Sequence, residues 1–185
     1  MPRIRSLATL AFFFLSATTG QAGLLGIDGI DTVIGTGEQT DNFRFGLRWD
    51  LRTLSLGKGK WALTASLSPN YSVFSGQAQD GNRVEVKDFG LTPVLTLIPR
   101  KDPRGPFDPF FEIGIGAHYL SEKQVGPKTF STHFQFGDHI GLGLRFKGLL
   151  DYKLAYSFQH LSNGGIDSPN PGINFHLLRL GFRLP

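Results

Sequence analysis

The sequence predicts an all-β fold: an eight-stranded antiparallel transmembrane β-barrel of the outer-membrane type. Three observations carry this. Apolar and polar residues alternate with period two in one segment after another. The chain holds 17 Phe and 24 Gly but a single Met and no Cys. Its first residues read as an export signal. Successive side chains on a strand point to opposite faces, so each such segment has one apolar and one polar wall, and a barrel in lipid turns the apolar wall outward. A soluble sandwich would alternate in the same way with its apolar wall turned to a core. The Phe and Tyr content, the strand lengths and the export signal favour the membrane.

Arg3 and Arg5 precede a short apolar run from Leu7 to Leu15, and small residues lead to Gly20-Gln21-Ala22. This is the pattern of a cleaved secretory signal at residues 1–22, with one barrel domain at 23–185. The run is too short to cross a bilayer as a helix. Without Arg3 and Arg5 the Lys+Arg count falls from 19 to 17 against 15 Asp+Glu, and the formal charge falls from +4 to +2. Charges alternate along the chain without forming a basic block, so nucleic acid is not an expected partner. The absence of Cys rules out disulfides and thiol chemistry.

A poorly patterned first strand is expected at about 25–36. The second is clear: Phe43, Phe45, Leu47, Trp49 and Leu51 alternate with Arg44, Gly46, Arg48, Asp50 and Arg52. Trp61 to Ser68, Asp88 to Leu97, Phe111 to Tyr119 and Ile140 to Phe146 repeat the pattern, and two last strands follow at about 151–163 and 173–184. Arg44, Arg48, Asp50, Arg52, Glu112, Arg145, Arg179 and Arg183 take the inward parity and should form a lumenal ion-pair network. His118, His133 and His139 take it too, and read as hydrogen-bonded interior groups better than as metal ligands. With a periplasmic start, connections at about 37–41, 74–84, 121–130 and 164–172 face outward. The opposite turns at 55–60 and 147–150 are short, while the Pro-rich stretch 99–109 reads as a rigid turn.

His160 and Ser162 lie two apart on the seventh strand and so present a base and a hydroxyl on one side. They share parity with Tyr152, Leu154, Tyr156 and Phe158, which places them on the lipid-facing wall. Asn174 and His176 share outward parity on the last strand. A hairpin centred near Ser168 would pair Ser162 with Asn174 and His160 with His176. Spacing alone is equally met by polar residues in the headgroup zone near a strand end.

The run Phe158-Gln159-His160-Leu161-Ser162-Asn163, the loop Pro169-Asn170-Pro171-Gly172 and a last strand containing Arg179 resemble the C-terminal motif of the outer-membrane lipid A 3-O-deacylase family, and Phe134 to Gly143 resembles its preceding strand. The likeness is specific over about 130–184 and architectural before that. It implies an esterase that hydrolyses the 3-position acyl chain of lipid A in lipopolysaccharide, without cofactor or metal, at a site on the outer wall toward the outer leaflet. By the same likeness His160 is the general base, Ser162 the nucleophile, and Asn170 with the Gly165 backbone N–H the oxyanion hole. The family's acid, usually Glu, falls at Asn174, which can orient an imidazole but supplies no charge. Asp167 is the nearest acid in sequence. Arg83, Lys123 and Lys128 are expected to face lipid A phosphates. Outer-membrane lipids are the surroundings, and a homodimer is compatible with the reading. The alternatives are a non-catalytic barrel that binds ligands or supports the membrane, and a lipid A acyltransferase.

Overall fold

The computed structural model describes residues 26–100, 105–148 and 150–184; the expected signal segment at 1–22 and residues 101–104 of the Pro-rich stretch lie outside them. Eight long antiparallel strands close into a barrel: β1 (Gly29–Gly37), β2 (Thr40–Leu56), β3 (Trp61–Gln77), β4 (Arg83–Pro99), β5 (Phe107–Leu120), β8 (Phe134–Phe146), β9 (Tyr152–Ser162) and β10 (Ile173–Arg183). Between β5 and β8 a small hairpin is formed by β6 (Gln124–Val125) and β7 (Lys128–Thr129). Each long strand pairs with the next in sequence, and β1 pairs with β10 from Gly29 opposite Arg183 to Thr36 opposite His176. Closure satisfies every edge, which a chain in lipid requires.

The alternation sorts residues as expected. Phe89, Leu142, Ile115 and Leu178 stand exposed on the outer wall, Leu142 at 64% and Phe89 at 62%. So broad an apolar belt has no place in water, and it is the surface a bilayer covers. Inside, Arg44 donates to Gln159 Oε1 at 2.8 Å and to Ser72 Oγ at 2.9 Å. His118 meets the buried Asp88 carboxylate at 2.9 Å, and Arg179 pairs with Glu112.

Three details depart from the expectation. Asp50 lies opposite Ser66 but Arg52 lies opposite Ala65, so a bulge inserts Leu51 and reverses the parity beyond it. Arg52 therefore shares the outer wall with Leu54 and Leu56 and is exposed, outside the lumenal network. His133 precedes β8, and its ring stacks on the exposed Tyr119 with centroids 5.6 Å apart, away from the interior. The third departure is an apolar plug. At the end of the barrel that carries the longer loops, Val33, Phe74, Leu161, Ile173, Phe175 and Leu177 fill the interior with Val125 and Phe130 from the β5–β8 connection. Phe74 and Phe175 stack at 5.1 Å. The lumen is thus polar in its body and dry at its loop end. The plug anchors the inward residues of β9 and β10 next to the outward-facing site.

Candidate active site

His160 and Ser162 close the loop end of β9, and Asn174 is the second residue of β10. Between and beside them Leu161, Ile173 and Phe175 are fully buried in the plug. Alternation then forces His160, Ser162 and Asn174 onto the opposite, outer wall. The strand ladder places Asn174 opposite His160 and His176 opposite Phe158. The pairing is shifted by two residues from the expected one. A two-residue shift keeps every side chain on its face, so the wall is right while the partners change.

The shift brings the imidazole to the amide. His160 Nδ1 lies 2.8 Å from Asn174 Oδ1. An amide oxygen only accepts, so Nδ1 carries a proton, and in the neutral ring Nε2 is the nitrogen with the free lone pair. Ser162 is half-buried, and its hydroxyl makes no hydrogen bond among the described residues. Such contacts commonly tighten only once substrate is bound. Gly172 packs against the imidazole from the loop: a Cβ there would come within 2.6 Å of His160 Cε1, and the backbone has φ +61°. Only glycine accepts both conditions without strain.

The loop from 163 to 172 is organised by Asn163, which is fully buried. Its Nδ2 donates to Ser131 Oγ at 2.9 Å and to the Asp167 carbonyl at 2.8 Å, latching the loop to the β5–β8 connection. Its backbone N–H donates to Asn170 Oδ1 at 3.0 Å, so the Asn170 amide nitrogen points away from that contact. Gly165 N–H donates to Asn163 Oδ1 at 2.9 Å, so that donor already has an acceptor. Asp167 stays exposed and its carboxylate accepts from Ser168 N–H at 2.8 Å; it does not meet His160. His176 bonds the Tyr156 hydroxyl at 2.6 Å further down the wall.

One acid at the site was not among the sequence candidates. Glu38 lies in the two-residue turn between β1 and β2, where Glu38 and Gln39 both have positive φ, 49° and 62°. That turn type joins tightly twisted strands. Glu38 Oε1 accepts from Asn174 N at 2.9 Å and from Asn174 Nδ2 at 3.2 Å. Its Oε2 pairs with Lys128 Nζ at 2.8 Å. The hydrogen bond from Lys128 holds the carboxyl below its ordinary range against the opposing effect of burial, and the Asn174 donors add to it. Lys128, expected at a phosphate, is instead engaged with Glu38. No local pattern signals this: Glu38 and Asn174 are 136 residues apart.

A family model described as "Lipid A 3-O-deacylase (PagL)" matches residues 42–183. Lipid A deacylase PagL of Pseudomonas aeruginosa is 27% identical over 143 residues, covering 77% of this chain and 78% of the relative. Lipid A deacylase PagL of Bordetella bronchiseptica is 45% identical over 65 residues, so that match spans 35% of either chain. The crystal structure of the outer membrane enzyme PagL superposes with TM-score 0.73 at 25% identity, over 84% of this chain and 99% of the other. Neisserial surface protein A, at TM-score 0.52 and 12% identity over 84% and 94% of the two chains, shares the barrel fold alone.

Proposed function

The chain belongs to the lipid A 3-O-deacylase (PagL) family, and from that membership we propose that it is an outer-membrane serine esterase that removes the acyl chain ester-linked at the 3 position of lipid A. The observation that carries the reading is the 2.8 Å contact between His160 Nδ1 and Asn174 Oδ1 on an apolar outer wall, with Ser162 two residues along the same strand. A lipid substrate can reach such a site by lateral diffusion, and its acyl chain can lie along Leu154, Tyr156 and Phe158.

In the proposed reaction Ser162 Oγ attacks the ester carbonyl carbon while His160 Nε2 takes the hydroxyl proton. The tetrahedral oxyanion accepts from Asn170 Nδ2. The Gly165 N–H joins it by exchanging its bond to Asn163 Oδ1 for one to the oxyanion. The C–O bond then breaks, the imidazolium returns its proton to the departing sugar 3-oxygen, and the acyl group remains on Ser162. Water attacks that ester with His160 again as base. A fatty acid leaves and Ser162 recovers its proton. Arg83 and Lys123, exposed at the loop end, are the proposed phosphate contacts.

Mass spectrometry of lipid A from cells expressing the wild type and Ser162→Ala tests this. Loss of one hydroxyacyl chain with the wild type alone supports the esterase. A gained chain would mean acyl transfer, and identical spectra would mean a non-catalytic barrel. Crosslinking in outer-membrane vesicles tests whether the barrel forms a homodimer.

A further inference from the structure

We propose that Glu38 is the displaced acid of this active site, a positioning residue that sets the His160 imidazole through the Asn174 amide. This rests on the reading of Ser162 and His160 as nucleophile and base.

An amide alone is an ambiguous third member. Turned over, Asn174 would present its NH2 group to His160 Nδ1, make that nitrogen an acceptor and place the ring proton on Nε2. A ring in that state cannot take a proton from Ser162. The far end of the amide decides which way it faces. Glu38 Oε1, which only accepts when ionised, receives both N–H and Nδ2–H of Asn174 at 2.9 and 3.2 Å. The NH2 group must face the carboxylate, so the oxygen must face the imidazole, and Nε2 is left as the base. Glu38 thereby also places a negative charge one amide away from the imidazolium that forms during the reaction, the charge that Asn174 lacks.

The surroundings hold this arrangement. Gly37 lies so close to β10 that a Cβ there would overlap the Asn174 carbonyl, so the end of β1 is pressed onto the residue that Glu38 orients. Lys128, from β7, holds the other carboxylate oxygen at 2.8 Å. Among the described residues, the remaining charged or titratable groups near His160 are engaged elsewhere or make no bond to it. Asp138 is its register partner on β8 but is exposed and makes no hydrogen bond among the described residues. Asp167 is tied to Ser168, and His176 to Tyr156.

The test uses full-length protein in outer membranes, assayed for hydroxyacyl release from lipid A, with heat-modifiability on gels as the check on folding. Glu38→Gln keeps an oxygen able to accept from Asn174 and removes only the charge, so a merely structural Glu38 would leave activity near wild type. The proposal expects kcat to fall about tenfold or more with KM little changed, since a unit charge within several ångströms of the imidazolium is lost. It also expects the acidic limb of the kcat/KM profile to move to lower pH. The double variant Glu38→Gln/Asn174→Glu returns a carboxylate to the imidazole and should recover most of the loss. Wild-type kcat and profile in Glu38→Gln, with Ser162→Ala inactive, would overturn the role of Glu38 and leave the esterase reading standing. So would a shift of the profile by Asp138→Asn in place of Glu38→Gln. Activity in Ser162→Ala would overturn both.

Discussion

Asn174 Oδ1 accepts the Nδ1 proton of His160 at 2.8 Å, so a neutral amide stands against the imidazole where the family's motif leads one to expect a carboxylate. In the proposed mechanism the contact performs one of the two tasks of a triad acid, since it fixes the tautomer and the ring plane without adding charge. Asn174→Ala removes the acceptor and frees the ring. We expect kcat to fall about 100-fold, the scale of a misplaced general base, with KM and heat-modifiability close to wild type. Steady-state kinetics on lipid A measures it, and an undiminished kcat would refute a role for this bond.

Gly172 sets the other side of the ring. Gly172→Ala would bring a methyl to 2.6 Å from His160 Cε1 at a residue of φ +61°. The imidazole must rotate or the loop must withdraw. The strain of one left-handed alanine is about 1 kcal/mol, so the barrel should unfold at nearly the same urea concentration while kcat drops. Parallel unfolding and kinetic assays separate the two effects.

Lys128 tunes the site through Glu38. The bond from Lys128 Nζ holds the Glu38 carboxyl below its ordinary range. A depressed carboxyl contributes above its unfolded pKa, and the contribution is lost as pH falls through the folded one. Lys128→Met removes the largest cause of the depression, so the loss should begin at higher pH. The acidic limb of the rate profile should therefore move up, opposite in sign to the shift expected for Glu38→Gln. A profile that does not move would separate Lys128 from the chemistry.

The lumen carries its own test. Arg179 pairs with Glu112, whose side chain is 2% exposed. Arg179→Met leaves that carboxylate without its partner in the interior, which typically costs about 3–5 kcal/mol. The urea midpoint in detergent should fall markedly and recover in part when Glu112→Gln is added. Equal midpoints for the single and double variants would show that the pair is not coupled.

The period-two pattern made most of the barrel legible, because it is a property of each strand by itself: Phe43, Phe45 and Leu47 declare an outer wall whatever they pair with. It failed at Leu51, where one inserted residue turned Arg52 outward, a bulge that no composition signal marks. It was silent on the plug, since Leu161, Ile173, Phe175 and Leu177 occupy inward positions where a polar lumen was expected. The ladder between β9 and β10 lies two residues from the register that a hairpin centred near Ser168 predicts. Its register is set by how Asn163, Asn170 and Ser131 organise the loop, through contacts that reach beyond the hairpin.

What the sequence by itself determined is the wall on which each candidate site residue stands: His160, Ser162 and Asn174 face outward because alternation along a backbone is local. What only the tertiary structure decided is who meets whom. His160 reaches Asn174 through a ladder whose register depends on the loop. Glu38 reaches Asn174 because the barrel closes between β1 and β10, setting the first turn beside the last strand. Closure is a property of the complete ring of strands, and no stretch of the chain shorter than that ring contains it.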